Sequence, residues 1–169
     1  MLQPQIVEKP ALQVVGLEAA FIHALSPEAT NFQVIRPLWD KFIHRAREIP
    51  NRIGEERFGI IYGRPENERA HPDELQYITA VRVSKADEIP TGMVERTVPA
   101  GAFAVFTHRG PIQMIGDTVL EIYRVWLPQS AYRHAEIADV ELYDLRFHCD
   151  RADSEMEYWI SVAPKGTSP

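Results

Sequence analysis

From Val34 onward, apolar side chains return every three or four positions, at Val34, Ile35, Leu38, Trp39, Phe42, Ile43, Ala46 and Ile49. That spacing predicts a helix with one broad apolar stripe. Thr30 or Asn31 can cap its start, and Pro37 must fall in its first turns or kink it. A second stripe runs through Ile112, Ile115, Val119, Ile122 and Trp126, with Pro128 expected to end it. Elsewhere the pattern shortens to near alternation, which predicts strands. PALQVVGLEAAF, from Pro10, precedes the first helix, and PAGAFAVFTHRG, from Pro99, precedes the second. RFGIIYG and ELQYITAVRV follow the first; DVELYDLRF and EMEYWISVAP follow the second.

The chain therefore says strand, helix, strand, strand twice. Tyr62 and Tyr143 stand 81 positions apart, as do Tyr77 and Tyr158, and Val81 and Val162. A recurring offset argues for duplication. The expected fold is α+β: two β-α-β-β units related by a pseudo-twofold axis, with antiparallel sheets, helices on one face and a cleft between the halves. One domain is expected, with a first repeat over about 5–83, a linker over about 84–94 and a second repeat over about 95–164. The polar stretches 63–73 and 145–154, with Gly63, Pro65 and Pro72, read as loops.

Glu141 does not fit a bland strand. Alternation groups it with Tyr143 and Leu145 and sends Val140 and Leu142 to the opposite face. At the offset of 81 it falls opposite Ile60, while Glu157 falls opposite Gln76, so the first half lacks both acids. Val140 and Leu142 are expected to press on the second helix, as are Met156, Tyr158, Ile160 and Val162. Glu141 and Tyr143 are then expected on the face between the halves, and Trp159 and Ser161 share a face with Glu157. A carboxylate buried there without a partner costs several kcal/mol or takes up a proton. A tyrosine hydroxyl, water, a group from the other half or a ligand cation could satisfy it, with aromatic walls adding cation–π attraction. The competing reading is a glutamate on a solvated face, hydrogen-bonded to a neighbour.

Composition narrows the field. The 169 residues carry a net charge of −6, and Lys and Arg are scattered. No basic stripe or helix-turn-helix pattern points to nucleic acid. No apolar run reaches membrane-spanning length, and the N-terminal stretch lacks a signal-peptide pattern. Cys149 is the sole cysteine, which fits a cytoplasmic location and no disulfide framework. His148, Cys149 and Asp150 lack the spacing of zinc ligands, so no metal or other cofactor is expected. The six histidines are dispersed and GxSxG is absent, so no Ser-His-Asp or Cys-His centre is indicated.

The stretches PAGAFAVFTHRGP, IYRVWLPQSAY, VELYDLRF and EMEYWISVAP, in this order, resemble the GyrI-like small-molecule-binding family. The likeness covers roughly Gln5 to Pro164 and is strongest after Pro99. That family includes effector-binding domains of AraC-type and MerR-type multidrug regulators. The resemblance implies a cleft at the pseudo-twofold junction in which a central glutamate, here Glu141, meets lipophilic cations. Tyr143 and Trp126 match aromatic motif positions; Tyr62 and Trp159 are added by alternation and the repeat. Phe103 stands where many relatives carry an aromatic hydroxyl, and Glu157 is a further acidic candidate. The implied function is a stand-alone module binding a hydrophobic, cationic small molecule for transcriptional regulation or drug sequestration. Some relatives look like hydrolases of strained electrophiles, which would make Glu141 a base and Tyr143 a proton donor. Others are associated with inhibition of DNA gyrase, which would make the chain a protein-interaction domain.

Overall fold

The computed structural model describes residues 2–166. Its elements run β1 (Gln5–Lys9), β2 (Leu12–Ile22), α1 (Asn31–Arg45), β3 (Arg52–Gly63), β4 (Glu74–Val83), β5 (Val94–Val98), β6 (Gly101–Arg109) and α2 (Ile115–Glu121). The second helix continues through a π-helical turn (Ile122–Trp126) into α3 (Leu127–Gln129), and β7 (Tyr132–Tyr143) and β8 (Glu155–Pro164) close the chain. Pro128 thus lies inside the helix rather than ending it. The carbonyl its ring would strike, that of Arg124, sits in the wider π turn. At α1, Thr30 occupies the N-cap position without a side-chain cap bond. Its hydroxyl instead accepts from the Ile22 N–H at 2.9 Å.

The strands form one antiparallel sheet in the order β1-β6-β8-β7-β3-β4-β2-β5. The two three-stranded halves join edge to edge through β3 and β7. Each half also lends an outer strand to the other, since β1 pairs with β6 and β5 with β2. Strands β5 and β6 lie six places apart in the sheet, about 29 Å if it were flat. Only Pro99 and Ala100 connect them, a span of about 11 Å at most. The sheet must therefore curl, and it does so around a helix-free core of Val14, Phe58, Ile60, Ile78, Val98, Phe103, Val140 and Trp159. On the other face α1 covers Val15, Leu17, Val81 and Val83 through Phe42 and Ala46. The second helix covers Ala104, Phe106, Met156, Tyr158, Ile160 and Val162 through Ile122.

This arrangement corrects one expectation. Val140 belongs to the helix-free core, and Glu141 pairs directly with Tyr158, which faces the second helix. Side chains directly opposite in a sheet share a face. Glu141 and Tyr143 therefore lie on the helix-bearing face, and Val140 and Leu142 on the other. The cause is a slip of one residue in the repeat. Phe58, Ile60 and Tyr62 share a face with Ala138, Val140 and Leu142, which requires an even offset between β3 and β7. Ile78 and Ala80 share it with Trp159, an odd offset between β4 and β8. One offset of 81 cannot serve both strands, and a slip of one turns every side chain over.

Candidate functional site

A row of directly paired residues crosses the helix-bearing face: Leu17, Thr79, Gly59, Glu141, Tyr158 and Phe106. Leu17 belongs to the core under α1, and Tyr158 and Phe106 to the core under α2. Glu141 thus occupies the seam between the two helix-covered cores. It is only 7% exposed. The Tyr143 hydroxyl donates to its Oε2 at 2.7 Å, and the fully buried Tyr77 hydroxyl donates to the same oxygen. Trp39 of α1 donates its indole N–H to Tyr77 Oη at 3.0 Å and meets the Tyr143 ring edge-on, with centroids 5.2 Å apart. Phe147 also packs edge-on against Tyr143, with centroids 4.7 Å apart.

No Lys, Arg or His among the described residues forms an ion pair with Glu141, and its Oε1 receives no hydrogen bond from them. Burial pushes the Glu141 carboxyl above its ordinary value, against the two tyrosine hydroxyls that favour the ionised form; the nearby Asp139 adds to the rise. Tyr77 and Tyr143 are driven up in turn, first by burial and then by the carboxylate they hold.

Two positions before Glu141 on the same face, Asp139 makes a contrasting site. It is 6% exposed and accepts from the hydroxyls of Tyr123 and Tyr158, the latter at 3.1 Å. It also meets His134 Nε2 at 2.9 Å. Five residues of regular strand would separate His134 and Asp139 by about 17 Å. An irregularity in β7, with Glu136 at a φ of 58°, folds the strand so that they touch. The Glu136 N–H donates to His134 Nδ1 at 3.0 Å, which leaves the proton of the neutral ring on Nε2. A cavity of about 90 Å³ opens beside this cluster, lined in part by Tyr123, His134, Ile137 and Asp139.

Of the side chains singled out from the sequence, only Tyr143 joins Glu141. Tyr62, Phe103, Glu157 and Trp159 lie on the helix-free face. Tyr62 donates to Glu18 and accepts from Arg96 Nε at 2.8 Å; burial, with Glu18, pushes its hydroxyl up to about 12 despite Arg96. Phe103 packs edge-on to Trp159 at 6.2 Å. Glu157 accepts from Trp159 Nε1 at 2.8 Å and from Arg146 Nη2 at 3.1 Å, so it is a paired carboxylate. Lys9 Nζ sits 4.0 Å from the centroid of Trp159. Trp126 belongs to the core under the second helix, edge-on to Phe106 at 5.0 Å and stacked with Tyr132 at 6.3 Å. The neighbours sequence reasoning missed are Trp39, Tyr77 and Phe147. In the sequence Trp39 belongs to an apolar helical stripe and Tyr77 to the repeat, and neither pattern reveals a hydrogen bond across a strand. Among the described residues, no three His, Cys, Asp or Glu side chains are grouped to hold a metal ion. Among these residues, too, no helix is long and apolar enough to cross a membrane.

A curled eight-stranded antiparallel sheet with two helices is the fold of a class of small-molecule-binding domain. The GyrI-like small molecule binding domain family matches residues 2–163, and the chain belongs to that family. The transcriptional regulator BrlR of Pseudomonas aeruginosa is 33% identical over 147 residues, which cover 86% of this chain and 50% of BrlR. The chain thus spans about half the length of this curated relative. Among solved structures, SAV2435 bound to tetraphenylphosphonium has the same fold at a TM-score of 0.76 and 14% identity, covering 96% of this chain and 94% of the other. The EcmrR C-terminal domain gives a TM-score of 0.63 at 16% identity, with 97% and 99% covered.

Proposed function

We propose that this GyrI-like domain binds a hydrophobic, cationic small molecule in the seam between α1 and the second helix, with Glu141 as its counter-ion. One observation carries the reading: a carboxylate 7% exposed, without an ion-pair partner among the described residues, held by two tyrosine hydroxyls on one oxygen with the other left open. Two other partly buried carboxylates have charged partners, Glu157 in Arg146 and Glu18 in Arg96. Removing a carboxylate from water is unfavourable unless an opposite charge returns the loss, and a cation entering beside Oε1 would do so. Trp39, Tyr143 and Phe147, all partly exposed, supply aromatic surface for the apolar part of such a ligand and for cation–π attraction. Tetraphenylphosphonium, the compound in the SAV2435 structure, has this chemistry. The biological consequence we propose is effector sensing in transcriptional regulation, in keeping with the relationship to BrlR, or sequestration of the compound.

Calorimetric titration of tetraphenylphosphonium and of tetraphenylborate, an anion of the same shape, tests the reading. Saturable binding of the cation with exclusion of the anion is expected. Equal binding of both would mean that shape alone is recognised and would remove Glu141 from the site. Chemical conversion of the added compound, rather than its stoichiometric retention, would favour an enzyme.

A further inference from the structure

Tyr77 lies on β4 and Glu141 on β7, and all of β3 runs between them. The residue of β3 beneath their contact is Gly59, paired with Thr79 on one side and with Glu141 on the other. Strands β4 and β7 are two spacings apart, about 10 Å. To reach Glu141, Tyr77 must therefore lay its ring across the β3 backbone. A Cβ on Gly59 would stand 2.1 Å from Tyr77 Oη, 2.7 Å from Tyr77 Cζ and 2.5 Å from Glu141 Oε2. All three distances are far inside van der Waals contact. Tyr77 is fully buried and Glu141 nearly so, which leaves neither an easy retreat. Gly59 does not have a positive φ, so the demand on it is for space and not for an unusual backbone. A glycine within a strand often marks such a close approach.

We infer that Gly59 is a positioning residue for the ligand site: its missing side chain is the notch through which Tyr77 reaches over β3 to hold Glu141. The hydroxyl delivered this way favours the ionised carboxylate against the burial that opposes it. Tyr77 also takes the Trp39 indole N–H, so the same notch ties Glu141 to α1. Filling it should release Glu141 from both. Its consequence for ligand binding rests on the proposed role of Glu141 as counter-ion; its consequence for the titration of Glu141 does not.

The test follows the Glu141 carboxyl by carbon NMR across pH in wild type, Gly59→Ala and Tyr77→Phe, with tetraphenylphosphonium titrated into each. Both variants lose one hydrogen bond to the carboxylate, so the midpoint is expected to move upward in both. Cation affinity near neutral pH is expected to fall about tenfold, the effect of one hydrogen bond to a charged group. A folded Gly59→Ala whose Glu141 titrates as in wild type overturns the inference. If Gly59→Ala does not fold, Gly59→Ala/Tyr77→Leu removes the ring from above the notch, which frees the Glu141 carboxyl to swing into the vacated space, and is expected to fold again. Failure of that double variant also overturns it. Wild type that ignores the cation would defeat the counter-ion reading alone, because the titration still judges Gly59.

Discussion

Replacing Glu141 by glutamine should move binding and stability in opposite directions. The amide keeps the shape of the carboxyl and can still accept from Tyr77 and Tyr143, so the change isolates the charge. A ligand cation about 4 Å from the carboxylate gains about 4 kcal/mol at an effective dielectric near 20, an upper bound before desolvation is subtracted. The expected loss of affinity for tetraphenylphosphonium lies between about tenfold and about a thousandfold. Stability should respond the other way. Because the folded protein raises the Glu141 carboxyl above its unfolded value, it holds that proton more tightly than the unfolded chain does. The ionised carboxylate therefore destabilises the fold above the folded value, and the penalty fades as pH falls through it. At neutral pH each unit of elevation corresponds to about 1.4 kcal/mol. Glutamine cannot ionise, so Glu141→Gln is expected to equal or exceed wild type in urea unfolding at pH 8. The advantage should shrink toward pH 5. Calorimetry gives the first quantity and urea unfolding at the two pH values the second. A variant that binds the cation as wild type does refutes the counter-ion argument. One that is less stable at pH 8 than at pH 5, relative to wild type, refutes the claim that burial dominates this carboxylate.

The His134–Asp139 pair has the opposite pH signature. Burial works against the imidazolium, but the hydrogen bond and charge of Asp139, with Glu136 nearby, raise His134 overall. Its stabilisation is complete below about pH 6.5, the ordinary histidine value, and is lost as pH rises through the higher folded value. The stability difference between wild type and His134→Gln should accordingly narrow on going from about pH 5.5 to about pH 9 in urea unfolding; a difference that widens would contradict it. Ile122 is fully buried where the π turn faces the sheet. Ile122→Ala should lower unfolding free energy by about 2–5 kcal/mol in the same assay, and a loss below about 1 kcal/mol would show that the turn collapses into the space.

Much of the architecture was legible because two periods dominate the chain. The stripes from Val34 and from Ile112 each locate a helix, and the alternating runs around them locate six of the strands. Strands β1 and β5 escaped for a physical reason. Each has only five residues and owes its place to a partner far away in sequence, β6 for β1 and β2 for β5. Glu141 was legible as an anomaly, and Tyr143 as its neighbour two residues on. Their shared face was legible too, but not which face it was. That depends on the relative register of β3, β4, β7 and β8, and the loop in the second half is one residue longer than its counterpart. The repeat and alternation group Tyr62 and Trp159 with Glu141, yet a shift of one position puts them on the opposite side of the sheet.

The same register explains why Glu141 has no equivalent in the first half of a duplicated fold. Both halves send a tyrosine from the strand after the loop toward a carboxylate, Tyr77 to Glu141 and Tyr158 to Asp139. Both of those carboxylates belong to β7, and the residues of β3 opposite them are Gly59 and Ile61. Asp139 meets a histidine through the bend in its own strand, whereas Glu141 meets only neutral donors. Symmetry of the backbone thus supplies two helix-flanked cores and a seam between them, while asymmetry of the side chains leaves the Glu141 carboxyl in that seam with tyrosine donors in place of an ion pair. A strand carrying a second glutamate in place of Gly59 would set two carboxylates face to face and fill the notch that Tyr77 needs. The empty position on one strand and the acid on the other are therefore two parts of one arrangement, and neither half-domain could make it alone.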